Sequence, residues 1–212
     1  MKRVADSTVR RLSLYLRYLE EFEASGSSTI SSEELAARAG TTSAQVRKDL
    51  SVFGSFGKRG LGYDVADLTL RLRQILGLER EWQVVIVGAG KIGEALAQYR
   101  GFRQRGFSIV GVYDSDPRKI GTTFQSFTVG DSRTIAEDMR RKRADIAILT
   151  VPADAAQQVL DQVVAAGVRA VLNFAPVQLQ APDHVTVKTV NMALELEGLS
   201  FALTNADSVR SA

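Results

Sequence analysis

The sequence predicts an α/β protein with a doubly wound, mainly parallel sheet, preceded by a small helical domain and followed by a terminal helix. Two observations carry this prediction. Residues 1–78 show mainly helical periodicity, and after residue 79 strand-like runs alternate with helical segments. We therefore expect three parts, with boundaries at 1–78, 79–191 and 192–212.

The composition of the chain excludes several kinds of site. It contains no cysteine and a single histidine, His184, so neither a disulfide framework nor a metal site built from thiolates or several imidazoles is available. No apolar run approaches the roughly 20 residues of a membrane span, and the N-terminus lacks the apolar core of a signal peptide. We therefore expect a cytoplasmic protein without a metal ion.

The positive charge of the chain is unevenly distributed. Residues 1–63 hold 10 Lys and Arg against 7 Asp and Glu, whereas the remainder holds 17 of each kind. The whole formal excess of +3 therefore lies in the N-terminal part. A polyanionic partner such as nucleic acid is expected there.

The N-terminal part begins with a helix whose apolar residues follow a cap at Ser7: Val9, Leu12, Leu16, Leu19 and Phe22. Residues 31–34 form a capping box that opens a short helix ending at Gly40, and residues 42–45 form another that opens a helix over 43–53. Two short helices joined by a tight turn are typical of a helix–turn–helix. The second helix turns outward four polar side chains that can reach phosphates and base edges: Ser43, Gln45, Arg47 and Lys48.

Residues 56–63 predict a β-hairpin, because three glycines surround a pair of cations and aromatic residues flank them. Such a hairpin beside a helix–turn–helix is the wing of a winged helix. Its tip can enter a narrow A·T-rich minor groove, where the negative potential is strongest, through Lys58, Arg59 and Gly60. One more amphipathic helix over 65–76 precedes the domain boundary. The N-terminal part therefore predicts a winged helix that binds double-stranded DNA.

A dinucleotide fingerprint opens the second part. Four β-branched residues, 84–87, precede the motif G-x-G-x-x-G, which consists of Gly88, Ala89, Gly90, Lys91, Ile92 and Gly93. Gly88 permits the tight turn, Gly90 lets the backbone approach a pyrophosphate, and Gly93 lets helix and strand pack closely. Ile92, Ala95, Leu96 and Tyr99 then recur at helical spacing. This strand–loop–helix context predicts a Rossmann domain.

A carboxylate follows at the distance expected for a ribose ligand. The second strand, 107–113, ends in Asp114, which can accept both ribose hydroxyls of an adenosine and would repel a 2′-phosphate. NAD+ and NADH are therefore favoured over their phosphorylated counterparts. Arg118, four residues on, keeps the phosphorylated forms open.

Further strand–helix units continue the sheet. A strand over 145–151 leads through Pro152 into a helix from Ala153, and another strand covers 168–172. Ligands of doubly wound sheets bind at the carboxyl ends of the strands. We therefore expect the cofactor cleft to be lined also by Thr150, Val151, Pro152, Asn173, Phe174 and Ala175.

No residue stands out as an acid or base for hydride chemistry. His184 lies in a turn before a strand over 185–190, and Tyr99 is on the first cofactor helix, a poor position for such a role. The chain is therefore not expected to be an enzyme. Two alternatives stay open: an NAD-dependent oxidoreductase with a helical cap, and a ligand-binding module of the CoA type. Asp114 argues against the second, because it would repel the phosphorylated ribose of CoA.

The last helix, 193–205, is unusually apolar. One face carries Met192, Leu196, Leu199 and Leu203, and Leu194 and Phe201 widen it. A helix of this kind must bury most of its surface. It can dock on its own sheet or on a second subunit, and a two-fold DNA site favours a symmetric dimer.

In both of its halves, and over nearly its whole length, the chain resembles the Rex family of redox-sensing transcriptional repressors. The resemblance is carried by the glycine motif together with the stretches 46–50 (VRKDL), 53–63 (FGSFGKRGLGY), 149–152 (LTVP) and 172–176 (LNFAP). It implies a homodimer with paired winged helices and a C-terminal helix exchanged between subunits. It also implies repression of genes for fermentative and respiratory metabolism, with binding to DNA in the apo or NAD+ form and release by NADH.

The resemblance further implies a switch. It assigns switch roles to an arginine of the first helix, Arg17, to Tyr99, and to an aspartate before the last helix, where this chain has Asn191 followed by Met192. A carboxylate there could pair with Arg17 in one state and offset the positive nicotinamide of NAD+, whereas an amide can only hydrogen-bond. Our hypothesis is that this protein distinguishes NAD+ from NADH less sharply than its relatives.

Overall fold

The structure is a computed structural model that describes residues 4–57 and 61–210, with side chains up to residue 205. It divides the chain into two compact units, Met1–Arg80 and Glu81–Ala212. The predicted wing tip, Lys58, Arg59 and Gly60, lies outside the described residues. None of the helices in the described ranges is long and apolar enough to cross a membrane.

The N-terminal unit consists of four helices and a two-stranded antiparallel sheet within the described residues: α1 Asp6–Ala24, β1 Thr29–Ile30, α2 Ser32–Ala39, α3 Ser43–Ser51, β2 Tyr63–Asp64 and α4 Val65–Ile75. Its core is formed by leucines of α1, α2 and α4 together with Val46 and Leu50 of α3. The predicted stripe on α1 is inward from Leu12 onward, but Val9 is exposed and Tyr15 is fully buried instead.

The predicted helix–turn–helix is present. Ser31 and Glu34 form the reciprocal capping box of α2, and Gly40 ends that helix with a left-handed φ of 62°. Thr42 caps α3 by accepting a bond from the Gln45 amide nitrogen. The second capping box is only half correct, because the Gln45 side chain bonds Asp49 rather than Thr42. Helix α3 ends at Ser51, two residues earlier than predicted.

The region of the predicted wing has a different strand pairing from a simple hairpin. Strand β2 pairs with β1, with Ile30 opposite Tyr63. Gly57 and Gly62 both have left-handed φ values, +74° and +78°. A Cβ on Gly57 would collide with the carbonyl oxygen of Gly62, so the two ends of the loop approach each other more closely than any other residue allows.

The C-terminal unit contains the doubly wound sheet. Its strands, in the described part of the chain, are β3 Trp82–Val87, β4 Phe107–Asp114, β5 Thr123–Phe124, β6 Phe127–Asp131, β7 Ile146–Leu149, β8 Ala170–Asn173 and β9 Thr186–Thr189. Their order is β5-β6-β4-β3-β7-β8-β9, and only β5 runs antiparallel to its neighbour. The chain order reverses between β3 and β7, which makes that junction the topological switch point where ligands of such sheets bind.

Helices cover both faces of this sheet: α5 Lys91–Ala97, α6 Arg100–Gln104, α7 Ile135–Lys142 and α8 Ala153–Ala165. Alternate residues of β3 point to opposite faces, so Val84 and Ile86 join one core cluster and Val85 and Val87 join the other. The sequence did not predict β5, β6 or α7. The first cofactor helix is shorter than predicted. Helix α5 ends at Ala97, and Tyr99 has an extended backbone conformation and an exposed side chain.

The last helix is α9 Met192–Arg210, and as far as its side chains are described, to residue 205, its large apolar residues are not buried against the chain's own sheet. The six large apolar side chains that the sequence reading assigned to its buried surface are 60–73% exposed: Met192, Leu194, Leu196, Leu199, Phe201 and Leu203. Of the two arrangements left open by the sequence, packing on the chain's own sheet is therefore not the one that the described residues show.

Helix α4 offers a matched pair of leucines for a test of the N-terminal core. Leu72 is fully buried, whereas Leu70 on the same helix is 53% exposed. We expect Leu72→Ala to lower the free energy of unfolding by about 2–5 kcal/mol, because it leaves a cavity. Leu70→Ala should change it by less than about 0.5 kcal/mol. Urea unfolding followed by circular dichroism measures both, and equal losses would contradict this assignment of the core.

Candidate functional site

The glycine loop lies at the switch point of the sheet and packs against the end of β7. Gly88 has a φ of +110°, and a Cβ there would lie 2.5 Å from the carbonyl oxygen of Thr150. The Thr150 hydroxyl donates to the carbonyl oxygen of Gly88 at 2.7 Å. A Cβ on Gly93 would collide with that same Gly88 oxygen, whereas one on Gly90 would meet nothing within 4 Å. Gly88 and Gly93 are therefore required by the fold, and Gly90 leaves open space above the loop.

A cleft of about 470 Å³ opens beside this loop. Six of the residues that the sequence assigned to the cofactor line it: Gly88, Gly90, Asp114, Thr150, Val151 and Pro152. The structure adds residues that the sequence reading did not single out, among them Ser115, Lys119 and Ser132. The cleft therefore combines a backbone surface at the loop with a polar corner at the end of β4.

Asp114 forms that polar corner and is already hydrogen-bonded by the protein. Its Oδ2 accepts from the Ala89 amide at 2.8 Å and from the Lys119 ammonium at 2.9 Å, and its Oδ1 accepts from the Asp116 amide at 2.9 Å. Burial alone would raise the pKa of Asp114, but these donors, Lys119 first, lower it below its usual value. Asp114 is therefore a carboxylate at neutral pH.

These bonds limit what Asp114 can offer a ribose. Each carboxylate oxygen has about two acceptor positions, so Oδ2 is filled and Oδ1 has one left. Acceptance of both ribose hydroxyls, as the sequence predicts, would therefore require one of the present donors to Asp114, such as Lys119, to move away. Arg118, the residue that kept a 2′-phosphate open, forms an ion pair with Asp116 and is 89% exposed. The cation at this corner is Lys119.

The remaining cofactor candidates have other positions. Ala89 is buried behind the loop, and Lys91 and Ile92 are exposed on α5. Asn173 is fully buried, and its side chain bonds both the amide and the carbonyl of Ala175. It thereby holds the turn after β8, with Phe174 half-buried beside it. Neither Asn173, Phe174 nor Ala175 is among the residues that line the cleft.

On the outward face of α3, two of the side chains that the sequence assigned to DNA binding already have hydrogen-bond partners within the protein. Arg47 donates to the Ser32 hydroxyl at 2.7 Å and to Glu33 at 3.3 Å, and Gln45 donates to Asp49 at 2.8 Å. Ser43 is half-buried. Lys48 is exposed, and no hydrogen bond or ion pair of its ammonium occurs within the described residues. Of the two cations on α3, Lys48 is therefore the one left without a partner by the described residues.

A buried carboxylate attaches α3 to α1. Asp49 is 2% exposed and accepts from Arg11 Nε at 2.6 Å, Arg11 Nη2 at 2.7 Å and the Tyr15 hydroxyl at 3.0 Å, besides Gln45. Burial would raise the pKa of Asp49, but the Arg11 bond and the other donors lower it. The sequence reading missed this cluster. Its only sequence signal is an aspartate beside Leu50 on the inward side of an amphipathic helix.

The candidate switch residues are all exposed or half-exposed. Arg17, in the N-terminal unit, forms a loose ion pair with Glu21 at 3.8 Å. In the C-terminal unit Tyr99 stacks edge-on against Phe102, and Met192 is 66% exposed. Asn191 caps α9, because its Oδ1 accepts from the Ala193 amide at 3.0 Å. It also lines a second cleft, of about 510 Å³, together with Leu194 and Glu195.

The described residues contain no group of three or more His, Asp or Glu side chains that could hold a metal ion. His184 is exposed in the turn before β9.

Two family models match the chain. One, "CoA binding domain", covers residues 79–177, and the other, "Putative DNA-binding protein N-terminus", covers residues 3–51. They fall on the sheet unit and on the helical unit, respectively. The matches bear out a helical DNA-binding domain followed by a Rossmann-like domain with a mainly parallel sheet.

Two Rex repressors match over nearly the full length. The redox-sensing transcriptional repressor Rex of Pelotomaculum thermopropionicum is 47% identical over 206 residues, which are 97% of this chain and 97% of that protein. Rex of Carboxydothermus hydrogenoformans is 47% identical over 199 residues, 94% of this chain and 96% of its own.

Solved structures of one Rex-family repressor, RSP, also match. RSP in complex with β-NAD+ and operator DNA has a TM-score of 0.92 and 37% identity, covering 100% of this chain and 97% of its own. RSP in complex with β-NADH has a TM-score of 0.89 and 36% identity, covering 100% and 99%.

The different surroundings of Gly90 and Gly93 predict different effects of the same substitution. Gly90→Ala should leave the melting temperature unchanged but weaken NADH binding by about tenfold or more, because the methyl group occupies the space for the pyrophosphate. Gly93→Ala should lower both the melting temperature and the affinity. Differential scanning fluorimetry and NADH fluorescence titration measure the two quantities, and unchanged NADH affinity in Gly90→Ala would argue against this cleft as the cofactor site.

Proposed function

The chain belongs to the Rex family of redox-sensing transcriptional repressors, and we propose that it binds operator DNA as a homodimer and releases it when NADH occupies the cleft beside the glycine loop. The observation that carries this proposal is the presence, in one chain, of a helix–turn–helix with an exposed cation and of a Rossmann cleft with a buried carboxylate, Asp114, at the end of β4. RSP, which matches the whole chain, was solved with NAD+ and operator DNA and with NADH.

As a Rex repressor the protein is not an enzyme, because the relatives that match its full length are transcriptional regulators. The match to the CoA-binding family model is explained by the shared sheet and glycine loop. A phosphate on the adjacent ribose hydroxyl of CoA would approach the Asp114 carboxylate, but the Lys119 ammonium offsets that charge. The stronger argument for NAD+ and NADH over CoA is that RSP was solved with both of these nucleotides.

The proposed DNA contacts divide between two elements. Helix α3 enters the major groove and presents the exposed Lys48 together with Ser43, Gln45 and Arg47. Lys58, Arg59 and Gly60, outside the described residues, remain proposed minor-groove contacts of a wing. The proposed cofactor contacts are the loop 88–93, Asp114 and the strand end at 150–152, whereas Asn173, Phe174 and Ala175 lie outside this cleft and form the turn after β8.

The exposed apolar surface of α9 supports a homodimer. Six large side chains with 60–73% of their surface exposed are unfavourable in water, and burial gains about 25 cal/mol for each Å² of apolar area. We propose that α9 packs on a second copy of the chain, as an element exchanged between subunits. The N-terminal units of a two-fold dimer can then match two half-sites of DNA.

The switch follows from linkage. If NADH binds more tightly to a subunit arrangement in which the two α3 helices no longer match successive major grooves, it weakens DNA binding by that difference in affinity. The N-terminal units need not deform, because a rotation at the dimer interface moves them as rigid bodies. Arg17, Tyr99, Asn191 and Met192 are the proposed switch residues.

Fluorescence anisotropy on an A·T-rich palindromic duplex tests this function. We expect binding by the protein alone and with NAD+, and release by NADH at concentrations at which NAD+ has no effect. Lys48→Ala should weaken DNA binding while leaving NADH affinity unchanged, because the residue lies in the other unit. Binding to the duplex that is indifferent to both nucleotides would contradict redox sensing.

Asn191 allows a test of the charge in the switch. Asn191→Asp keeps the cap of α9, since aspartate and asparagine cap equally well, and adds only a negative charge. We expect the ratio of NAD+ to NADH affinity to rise by about threefold to tenfold in favour of NAD+, because a carboxylate offsets the positive nicotinamide. Asn191→Ala, which removes the cap without adding charge, is the control. An unchanged ratio in Asn191→Asp would refute the hypothesis.

A further inference from the structure

We propose that Asp49 is a positioning residue that orients the Gln45 amide to read an adenine in the major groove. This inference rests on the proposed DNA-binding function and goes beyond it, because it assigns one base to one side chain. It starts from a group that the function does not otherwise use, the buried carboxylate between α1 and α3.

The Asp49 carboxylate has a complete set of donors. Oδ2 accepts from Arg11 Nε and the Tyr15 hydroxyl, and Oδ1 accepts from Arg11 Nη2 and Gln45 Nε2. Two donors on each oxygen fill the acceptor positions of a carboxylate. Since Asp49 is 2% exposed, its position is fixed by α1 and does not depend on solvent.

This arrangement determines which way the Gln45 amide faces. The two ends of a glutamine amide are nearly indistinguishable by shape, and the hydrogen-bond partner decides between them. An ionised carboxylate accepts hydrogen bonds and cannot donate one. The NH2 group of Gln45 must therefore face Asp49, at 2.8 Å, and the amide oxygen lies on the other side.

Gln45 is also in the right part of the helix. It is the third residue of α3 and is half-buried, and its side chain has no second hydrogen-bond partner in the described part of the chain. The residues that contact base edges in a helix–turn–helix come from the N-terminal part of the recognition helix. The amide oxygen and the second N–H of Gln45 remain available there.

The available atoms select one base. An acceptor and a donor held side by side match the N6 amino group and N7 of adenine, which is the usual bidentate partner of glutamine. The neighbours on α3 offer no equivalent pattern. Lys48 is a freely rotating point charge, and Arg47 is held by Ser32 and Glu33. Gln45 is therefore the only one of the three with an oriented donor–acceptor pair.

Selection from a random duplex library tests the inference with the full-length protein. We expect the wild type to enrich a two-fold sequence in which one base pair per half-site prefers adenine by about tenfold over the other bases. Gln45→Ala should lose that preference at that pair and keep the others. Lys48→Ala should keep the adenine preference while binding every sequence more weakly.

Two substitutions distinguish positioning from general stability. Asp49→Asn gives residue 49 an amide that both donates and accepts, so Gln45 is no longer held in one orientation and its adenine preference should fall, although Gln45 itself is unchanged. Tyr15→Phe removes another donor to Asp49 without touching Gln45, and the preference should stay. Circular dichroism checks that both variants fold, and if Asp49→Asn does not, Gln45→Ala still decides whether Gln45 reads the adenine.

The possible outcomes distinguish failure of the proposed DNA-binding function from failure of the roles proposed for Gln45 and Asp49. If the wild type enriches no sequence, the proposed DNA-binding function fails. If it does so but Gln45→Ala enriches the same sequence with the same preference, the adenine assignment is overturned while the proposed function stands. If folded Asp49→Asn keeps the full preference, the positioning role of Asp49 is overturned.

Discussion

The nucleotide cleft depends on how closely two pieces of backbone approach each other at the switch point of the sheet. Gly88 lies against the Thr150 carbonyl, and Gly93 lies against the Gly88 carbonyl, with no room for a Cβ at either place. The Thr150 hydroxyl ties the two strand ends together. Because this packing fixes the loop, the open space above Gly90 has a defined shape in which the backbone can meet a pyrophosphate.

Two buried carboxylates position the chemistry of the two units in the same physical way. Asp114 holds the end of the glycine loop through the Ala89 amide and attracts Lys119, and Asp49 holds α3 through Arg11 and orients Gln45. A buried charge is tolerated only when hydrogen bonds replace its water. Each carboxylate therefore requires several donors. Among these donors is one residue close to the proposed ligand site, Lys119 for Asp114 and Gln45 for Asp49.

The division into two units suits a protein in which the binding of a nucleotide controls the binding of DNA. The N-terminal unit has its own core and its own polar cluster, so nucleotide binding need not alter α3 to affect DNA binding. The exposed apolar side chains of α9 supply a surface through which two copies can be coupled. In the proposed dimer, a change in the arrangement of the two subunits links nucleotide binding to DNA binding, and each α3 keeps its own structure.

The sequence by itself determined the features that local chemistry dictates. The capping box of Ser31 and Glu34, the turn at Gly40, the glycine motif behind a buried strand and Asp114 at the end of β4 were all predictable, because each depends on residues near in the chain. Tertiary structure decided the rest. Arg11 meets Asp49 across 38 residues, Arg47 meets Ser32 across 15, and Thr150 meets Gly88 across 62. The bond from Lys119 to Asp114 is local, five residues along the chain, yet it lies in an irregular loop to which no periodicity applies. Periodicity shows which side of an element is buried, but not which polar group it meets there, since that choice is made only when distant elements pack together.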